Sequence, residues 1–186
     1  SFFNSRILSL ALSETVIISL YLYALVGNFS PLNYFEKKKI QTKIQINGMR
    51  KIEHLGIAVA DLKKSNELFH RLLGNAPYKS EAVASEGVET SFFQVGDTKI
   101  ELLQANTAES PIAKFISKKS EGIHHIAFDV EDIYAEMDRL KAAGFEILNE
   151  VPKKGADRKI VVFLHPKSTN GVLVELCQED PNPENQ

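Results

Sequence analysis

The stretch HIAFDVEDI, residues 125–133, restates HLGIAVADL, residues 54–62. Each runs from a histidine through mostly apolar residues to an aspartate and an aliphatic. Each then enters a helical pattern that closes on glycine, at Asp61–Gly74 and at Glu131–Gly144. An acid at the start and a glycine at the end are what helix termini prefer. The repeat continues downstream: residues 100–104 read IELLQ and residues 174–178 read VELCQ. His54 precedes Glu101 by 47 positions, and His125 precedes Glu175 by 50. Between them lie β-branched and aromatic runs at 89–95 and 159–165, with weaker strand patterns at 82–85 and 146–151. VGDTKI and KSTNGVL supply the Asp/Asn/Gly chemistry of hairpin turns. Each half therefore reads as strand, helix and three strands. A short helix with Pro111 in its first turn, SPIAKFISKKS at 110–120, joins the halves.

Residues two apart on a strand share a face. Around the first histidine, His54, Gly56 and Ala58 share one face, while Leu55, Ile57 and Val59 pack under the helix. Around the second, His125, Ala127 and Asp129 share a face opposite Ile126, Phe128 and Val130; His124 then falls on the packed face. Glu101 and Glu175 likewise point away from their apolar neighbours. If the halves close with pseudo-twofold symmetry, His54, Glu101, His125 and Glu175 converge on the concave side. Two imidazoles and two carboxylates suit a borderline divalent cation. One histidine or one glutamate alone on a strand is ordinarily a structural residue; the recurrence of both types at matching places is the signal. In the helical patterns, Leu62, Leu68, Phe69, Leu72 and Leu73 form one apolar stripe, and Ile133, Met137, Leu140 and Ala143 the other.

Residues 1–48 have a different character. They are rich in Phe, Ile, Leu, Tyr, Asn and Lys, with five Lys/Arg against Glu14 and Glu36. Residues 49–186 hold 17 basic and 22 acidic residues. Three readings of this N-terminal extension compete. About 20 apolar residues span a bilayer, but Glu14 near the centre of 7–29 would cost roughly 2.5–3.5 kcal/mol there. A signal peptide would want an A-x-A-like site after the apolar run. The favoured reading is translated AT-rich upstream sequence, because the well-patterned chain opens at Met49. The tail at 180–186, rich in Pro, Asn and Glu, is expected to be disordered. One cysteine, Cys177, excludes a disulfide framework and a cysteine-rich zinc site. It fits a reducing compartment, and a cytoplasmic location is expected. A net charge of -2 gives no reason to expect nucleic-acid binding.

Across Met49–Glu179 the chain resembles the methylmalonyl-CoA epimerase family of the vicinal oxygen chelate superfamily. The motifs that carry the resemblance are FLHPKSTNGVLVELCQ at 163–178, HLGIAVADL, EGV, VGDTKIELL, SPIAKFI and EGIHHIAFDV, in that family's spacing. It implies an α+β fold of two paired βαβββ modules, at about 50–106 and 121–179, forming one concave mixed sheet with helices outside. It implies interconversion of (2R)- and (2S)-methylmalonyl-CoA by proton abstraction at C2 through a metal-stabilised enolate. The family's metal positions fall on His54, Glu101, His125 and Glu175, for an ion such as Co, Mn, Zn or Ni. Some members use Gln at the second position; this chain has Glu101. Epimerisation exchanges a proton on both faces of C2, so two acid/base groups are expected. Glu175 is one. Some members carry the other three residues after the Gly of the GV motif, where this chain has Thr90; of the nearby acids Glu86 and Glu89, Glu89 is the residue expected to serve. The basic loop PKKGADRK at 152–159 is a candidate for coenzyme A phosphates. Dimers are common in the superfamily, so a homodimer is compatible. Alternatives are a glyoxalase-type lyase with the same four ligands, or a non-catalytic small-molecule binding protein of the same fold. An extradiol dioxygenase would use three ligands and Fe(II), against the four candidates found here.

Overall fold

The computed structural model describes residues 48–181. The readings on 1–47 and 182–186 lie outside the described residues. Each half builds the same unit. The first contains strand β1 (Met49–Ala58), helix α1 (Leu62–Leu73), and strands β2 (Lys79–Val83), β3 (Val88–Val95) and β4 (Thr98–Ala105). Helix α2 (Pro111–Lys119) leads into the second: β5 (Gly122–Val130), α3 (Ile133–Ala142), β6 (Lys153–Lys154), β7 (Lys159–Leu164) and β8 (Val174–Glu179). All eight strands form one sheet in the order β2-β3-β4-β1-β5-β8-β7-β6. The order mirrors itself about the centre. β1 pairs parallel with β4, β5 pairs parallel with β8, and β1 meets β5 antiparallel.

The repeated motif endings have a structural purpose. Gln104 Oε1 accepts the backbone N–H of Leu62 at 2.6 Å, and Gln178 Oε1 accepts that of Ile133 at 2.7 Å. Each glutamine satisfies an otherwise unpaired amide in the first turn of its module's helix. Asp61 caps α1 by accepting from Lys64 N, and Asp132 caps α3 by accepting from Tyr134 N and Ala135 N. Gly74 ends α1 in the left-handed region, at φ 76°.

Helices α1 and α3 cover one side of the sheet, whereas α2, against the expectation of helices only on the outside, packs Ile112 and Phe115 on Ala58, Val88 and Leu103 of the face that carries the histidines. Ile133, Met137 and Leu140 of α3 pack on Val130, Val162, Leu164 and Leu176. Leu62, Phe69 and Leu73 of α1 pack on Val59, Phe93 and Leu102. The α1 stripe is narrower than its leucines suggest, since Leu68 and Leu72 are 53% and 70% exposed. Two strand readings also shift. The pattern at 82–85 overruns: β2 ends at Val83, and residues 84–86 turn as a 3-10 helix. Residues 146–151 contribute only an Ile147–Leu164 bridge, and the edge pairing passes to Lys153–Lys154. At the tail, Asp180 donates its backbone N–H to Arg158 O at 2.9 Å. Among the described residues, no helix is long and apolar enough to cross a membrane.

The two edges of the sheet meet through polar contacts. Lys153 Nζ of β6 lies 2.5 Å from Glu86 Oε1, just beyond β2. Asp157, between β6 and β7, accepts from Lys79 Nζ at 3.1 Å and Tyr78 OH at 3.3 Å. The sheet thus curls around the face opposite α1 and α3. Leu176, fully buried under α3, tests the covered face. Leu176→Ala is expected to lower stability by about 2–5 kcal/mol, measured by urea denaturation of the full chain.

Candidate metal centre

The central ladder positions the histidines. Across it, His54 stands opposite Ala127 and His125 opposite Gly56. Each imidazole therefore faces a residue with almost no side chain. A Cβ on Gly56 would sit 2.1 Å from His125 Cε1, so glycine is what lets that ring turn inward. The parallel ladders bring the carboxylates level: Gly56 pairs with Glu101, and Ala127 with Glu175. All four residues are buried, at 3–6% exposure.

Their donor atoms converge. His54 Nε2 is 2.9 Å from His125 Nε2, 3.2 Å from Glu101 Oε2 and 3.9 Å from Glu175 Oε1. His125 Nε2 is 3.6 Å from Glu101 Oε2 and 3.4 Å from Glu175 Oε2. Donors about 2.1 Å from a common centre lie about 3.0 Å apart at right angles and about 3.4 Å apart at the tetrahedral angle. His54, His125 and Glu175 each offer a donor atom within 4.8 Å of the others, and Glu101 stands 3.2 Å from His54, so a modest inward shift brings all four to that arrangement. The electrostatics agree, because the cluster holds a positive charge tightly. Burial disfavours a charged His54, but Glu101 and the other carboxylates overcome it and raise its pKa to about 10. On chemistry and spacing, these four residues fit a divalent cation.

The two carboxylates are not equivalent. Burial pushes Glu175 up from the usual range, against the opposing influence of the two histidines. Glu101 is equally buried, yet His54 and His125 hold it well below that range. Thr90 Oγ1 also donates to Glu101 Oε1 at 2.9 Å. Thr90 thus orients a member of the cluster. Glu89 is not brought to the cluster. It is exposed, and strand alternation points it to the face opposite Thr90.

The register of β1 against β5 shifts at three places, one at Arg50 near the start of β1 and two beside the cluster. On β1, Ile52 pairs with Phe128 and His54 with Ala127, so Glu53 is an extra residue. On β5, Gly56 pairs with His125 and Ile57 with Ile123, so His124 is extra. Each of these two bulges sits immediately before a cluster histidine and re-aims its side chain. His124 accordingly leaves the helix-covered face and lines the cavity, against the alternation reading. Its ring meets Phe115 edge-on, and its Nδ1 lies 2.9 Å from His125 Nδ1. Burial, with His125 adding to it, lowers its pKa to about 4. Glu53 accepts from His54 Nδ1–H at 2.6 Å and from Lys99 Nζ at 2.5 Å. Burial opposes its ionisation, but these two donors win and lower its pKa to about 2. Cys177 is fully buried, and burial pushes its thiol far up.

The cluster opens into a cavity of about 380 Å³. Its walls are mostly apolar, including Val88, Phe92, Ile112, Leu148 and Phe163, with Glu86 and Lys153 among its polar lining.

Residues 53–163 match the model of the Glyoxalase/Bleomycin resistance protein/Dioxygenase superfamily. The chain is 45% identical over 130 residues to the ethylmalonyl-CoA/methylmalonyl-CoA epimerase of Cereibacter sphaeroides, covering 69% of this chain and 97% of that protein. It is 41% identical over 129 residues to human mitochondrial methylmalonyl-CoA epimerase, covering 69% and 73%. The chain belongs to the methylmalonyl-CoA epimerase family. The crystal structure of the Mycobacterium tuberculosis methylmalonyl-CoA epimerase superposes with a TM-score of 0.70 at 31% identity, over 74% of this chain and 93% of that one. Within this family frame, Glu53, Lys99 and Asp157 escaped the sequence reading. The available signal was an acid directly before His54, which alternation assigns to the wrong face.

Gly56→Ala is expected to expel the His125 ring and weaken Co²⁺ binding by more than about 10-fold, measured by equilibrium dialysis. A pH effect follows from Glu53. Its pKa is lowered from 4.5 to about 2 in the folded chain. Its stabilising contribution is therefore complete above pH 4.5 and lost as pH falls towards 2. Glu53→Gln is expected to flatten the fall of the melting temperature across that window, followed by circular dichroism.

Proposed function

We propose that this chain epimerises methylmalonyl-CoA at C2, with His54, Glu101, His125 and Glu175 holding a divalent cation. The observation that carries the reading is the convergence of these four donors at one end of a mostly apolar cavity, in a chain of this family. The ion is Co, Mn, Zn or Ni, all of which accept mixed imidazole and carboxylate donors. When bound, it supplies Lewis-acid polarisation of the thioester carbonyl.

The protein groups divide the remaining work. Glu175, which lines the cavity beside the other three donors, takes the C2 proton. Glu101, held ionised by the histidines and steadied by Thr90, keeps its charge and its place. The apolar walls exclude water and strengthen every electrostatic contact inside. A proton must return to the other face of C2. Glu89 points away, so this second role passes to Glu86, which lines the same cavity and pairs with Lys153. Lys153 and Lys154 border the cavity and suit the phosphates of coenzyme A. The single free thiol suits work in the cytoplasm.

The test is deuterium uptake at C2 of methylmalonyl-CoA in D2O, followed by NMR on the full chain. Uptake is expected with Co²⁺, lost with EDTA, and reduced by at least about 100-fold in Glu175→Gln. Folded protein that exchanges no deuterium with any of the four metals overturns the reading.

A further inference from the structure

Behind His54 runs a line of charged contacts that the reaction itself does not use. Glu53 Oε2 accepts from His54 Nδ1–H at 2.6 Å, and Glu53 Oε1 accepts from Lys99 Nζ at 2.5 Å. The same Lys99 Nζ donates to Asp157 Oδ2 at 2.7 Å. Asp157 also accepts from Lys79 and Tyr78, and its backbone N–H donates to Glu81. Glu53 is 4% exposed, and the Lys99 side chain 16%. The line starts at a candidate metal ligand and ends in the loop 155–158, between β6 and β7.

That loop is part of the cavity. Gly155, Ala156 and Asp157 line it, as do Lys153 and Lys154 of β6. Its backbone is held in an uncommon form, with Asp157 at φ 51° and Arg158 at φ 57°. Two consecutive non-glycine residues in the left-handed region persist only where surrounding contacts over-determine them. Here Lys79, Lys99, Tyr78 and Glu81 all grip Asp157.

We propose that Glu53 is a positioning residue for the cation site, and that Lys99 and Asp157 couple it to the loop that walls the cavity. When a cation displaces the Nε2 proton of His54, Glu53 keeps the remaining proton on Nδ1 and leaves the Nε2 lone pair facing Glu101, His125 and Glu175. A carboxylate on the far nitrogen also makes an imidazole a better donor. Lys99 holds the other oxygen of the same carboxylate at hydrogen-bond distance, with the Lys159 ammonium farther off at 3.7 Å, so the position of Glu53 depends chiefly on where Lys99 stands. Asp157 holds Lys99. A loop seated on Lys99 therefore tightens cation binding, and a bound cation steadies the loop by the same factor. This inference rests on the reading that His54 belongs to a cation site.

Both directions can be measured on the full chain, with circular dichroism confirming the fold of each variant. Co²⁺ affinity by equilibrium dialysis is expected to fall about 10–100-fold in Glu53→Gln. It is expected to fall by at least about 5-fold in Lys99→Met and in Asp157→Asn, although neither residue touches the four donors. Asparagine tolerates the left-handed backbone, so Asp157→Asn removes charge without adding strain. Reciprocally, Co²⁺ should slow trypsin cleavage at Lys153, Lys154 and Arg158 in the wild type and lose that effect in Lys99→Met. Wild-type affinity in Glu53→Gln overturns the positioning role. Wild-type affinity in both Lys99→Met and Asp157→Asn overturns the coupling while leaving the cation site intact. A wild-type chain that binds no Co²⁺ overturns the cation site and this inference with it.

Discussion

His54 faces Ala127 across the central ladder, and His125 faces Gly56. Two β-strands in register leave little room for an imidazole pointing across the axis unless the partner gives up its side chain. The antiparallel pairing of β1 with β5 therefore decides where both histidines stand. The parallel ladders to β4 and β8 then bring Glu101 and Glu175 to matching heights. Everything else in the site is arranged around this crossing: Thr90 steadies one carboxylate, Glu53 one imidazole, and the outer strands curl round to wall the cavity.

Burying four ionisable side chains together is costly unless their charges balance. The cluster manages this by holding positive charge, seen in the raised pKa of His54, and by separating its two acids. Glu101 has a hydroxyl donor and the closer His54 contact, so it stays ionised. Glu175 feels its own burial most, so it becomes the more basic of the pair. The near-symmetry of the modules supplies the four groups, and small departures from it give them different chemistry. The same holds one layer out. The residue before each histidine is displaced by a bulge, but one module places a carboxylate there and the other a second imidazole.

Strand periodicity made Glu101 and Glu175 legible because each has apolar neighbours on both sides, and His54 and His125 legible because the strand runs regularly after each bulge and recurs in both modules. It misread His124 for a reason that strand pairing makes plain. A bulge inserts one residue against its partner strand and resets which face follows. Nothing in HHIAFDV marks that insertion, because the missing partner belongs to β1, some 70 residues away. Glu89 was misplaced for a simpler reason. A strand acid near the right motif is one residue from the cavity in sequence and on the opposite face in space. Leu68 and Leu72 share α1's apolar character, yet the sheet offers packing only to Leu62, Phe69 and Leu73.

The sequence by itself determined the two-module plan, the helix caps, the family and the four residues that meet on the concave face. These are local patterns repeated at a fixed spacing, and repetition survives without knowledge of the partner strand. The tertiary structure alone decided the bulges, the inward turn of Glu53 and His124, and the line from His54 through Lys99 to Asp157. These depend on pairing between residues far apart in sequence, where one unmatched position changes the direction of a side chain. Asp157 shows the difference most clearly. In sequence it is one acid in a basic loop, and in the fold it joins the two edges of the sheet.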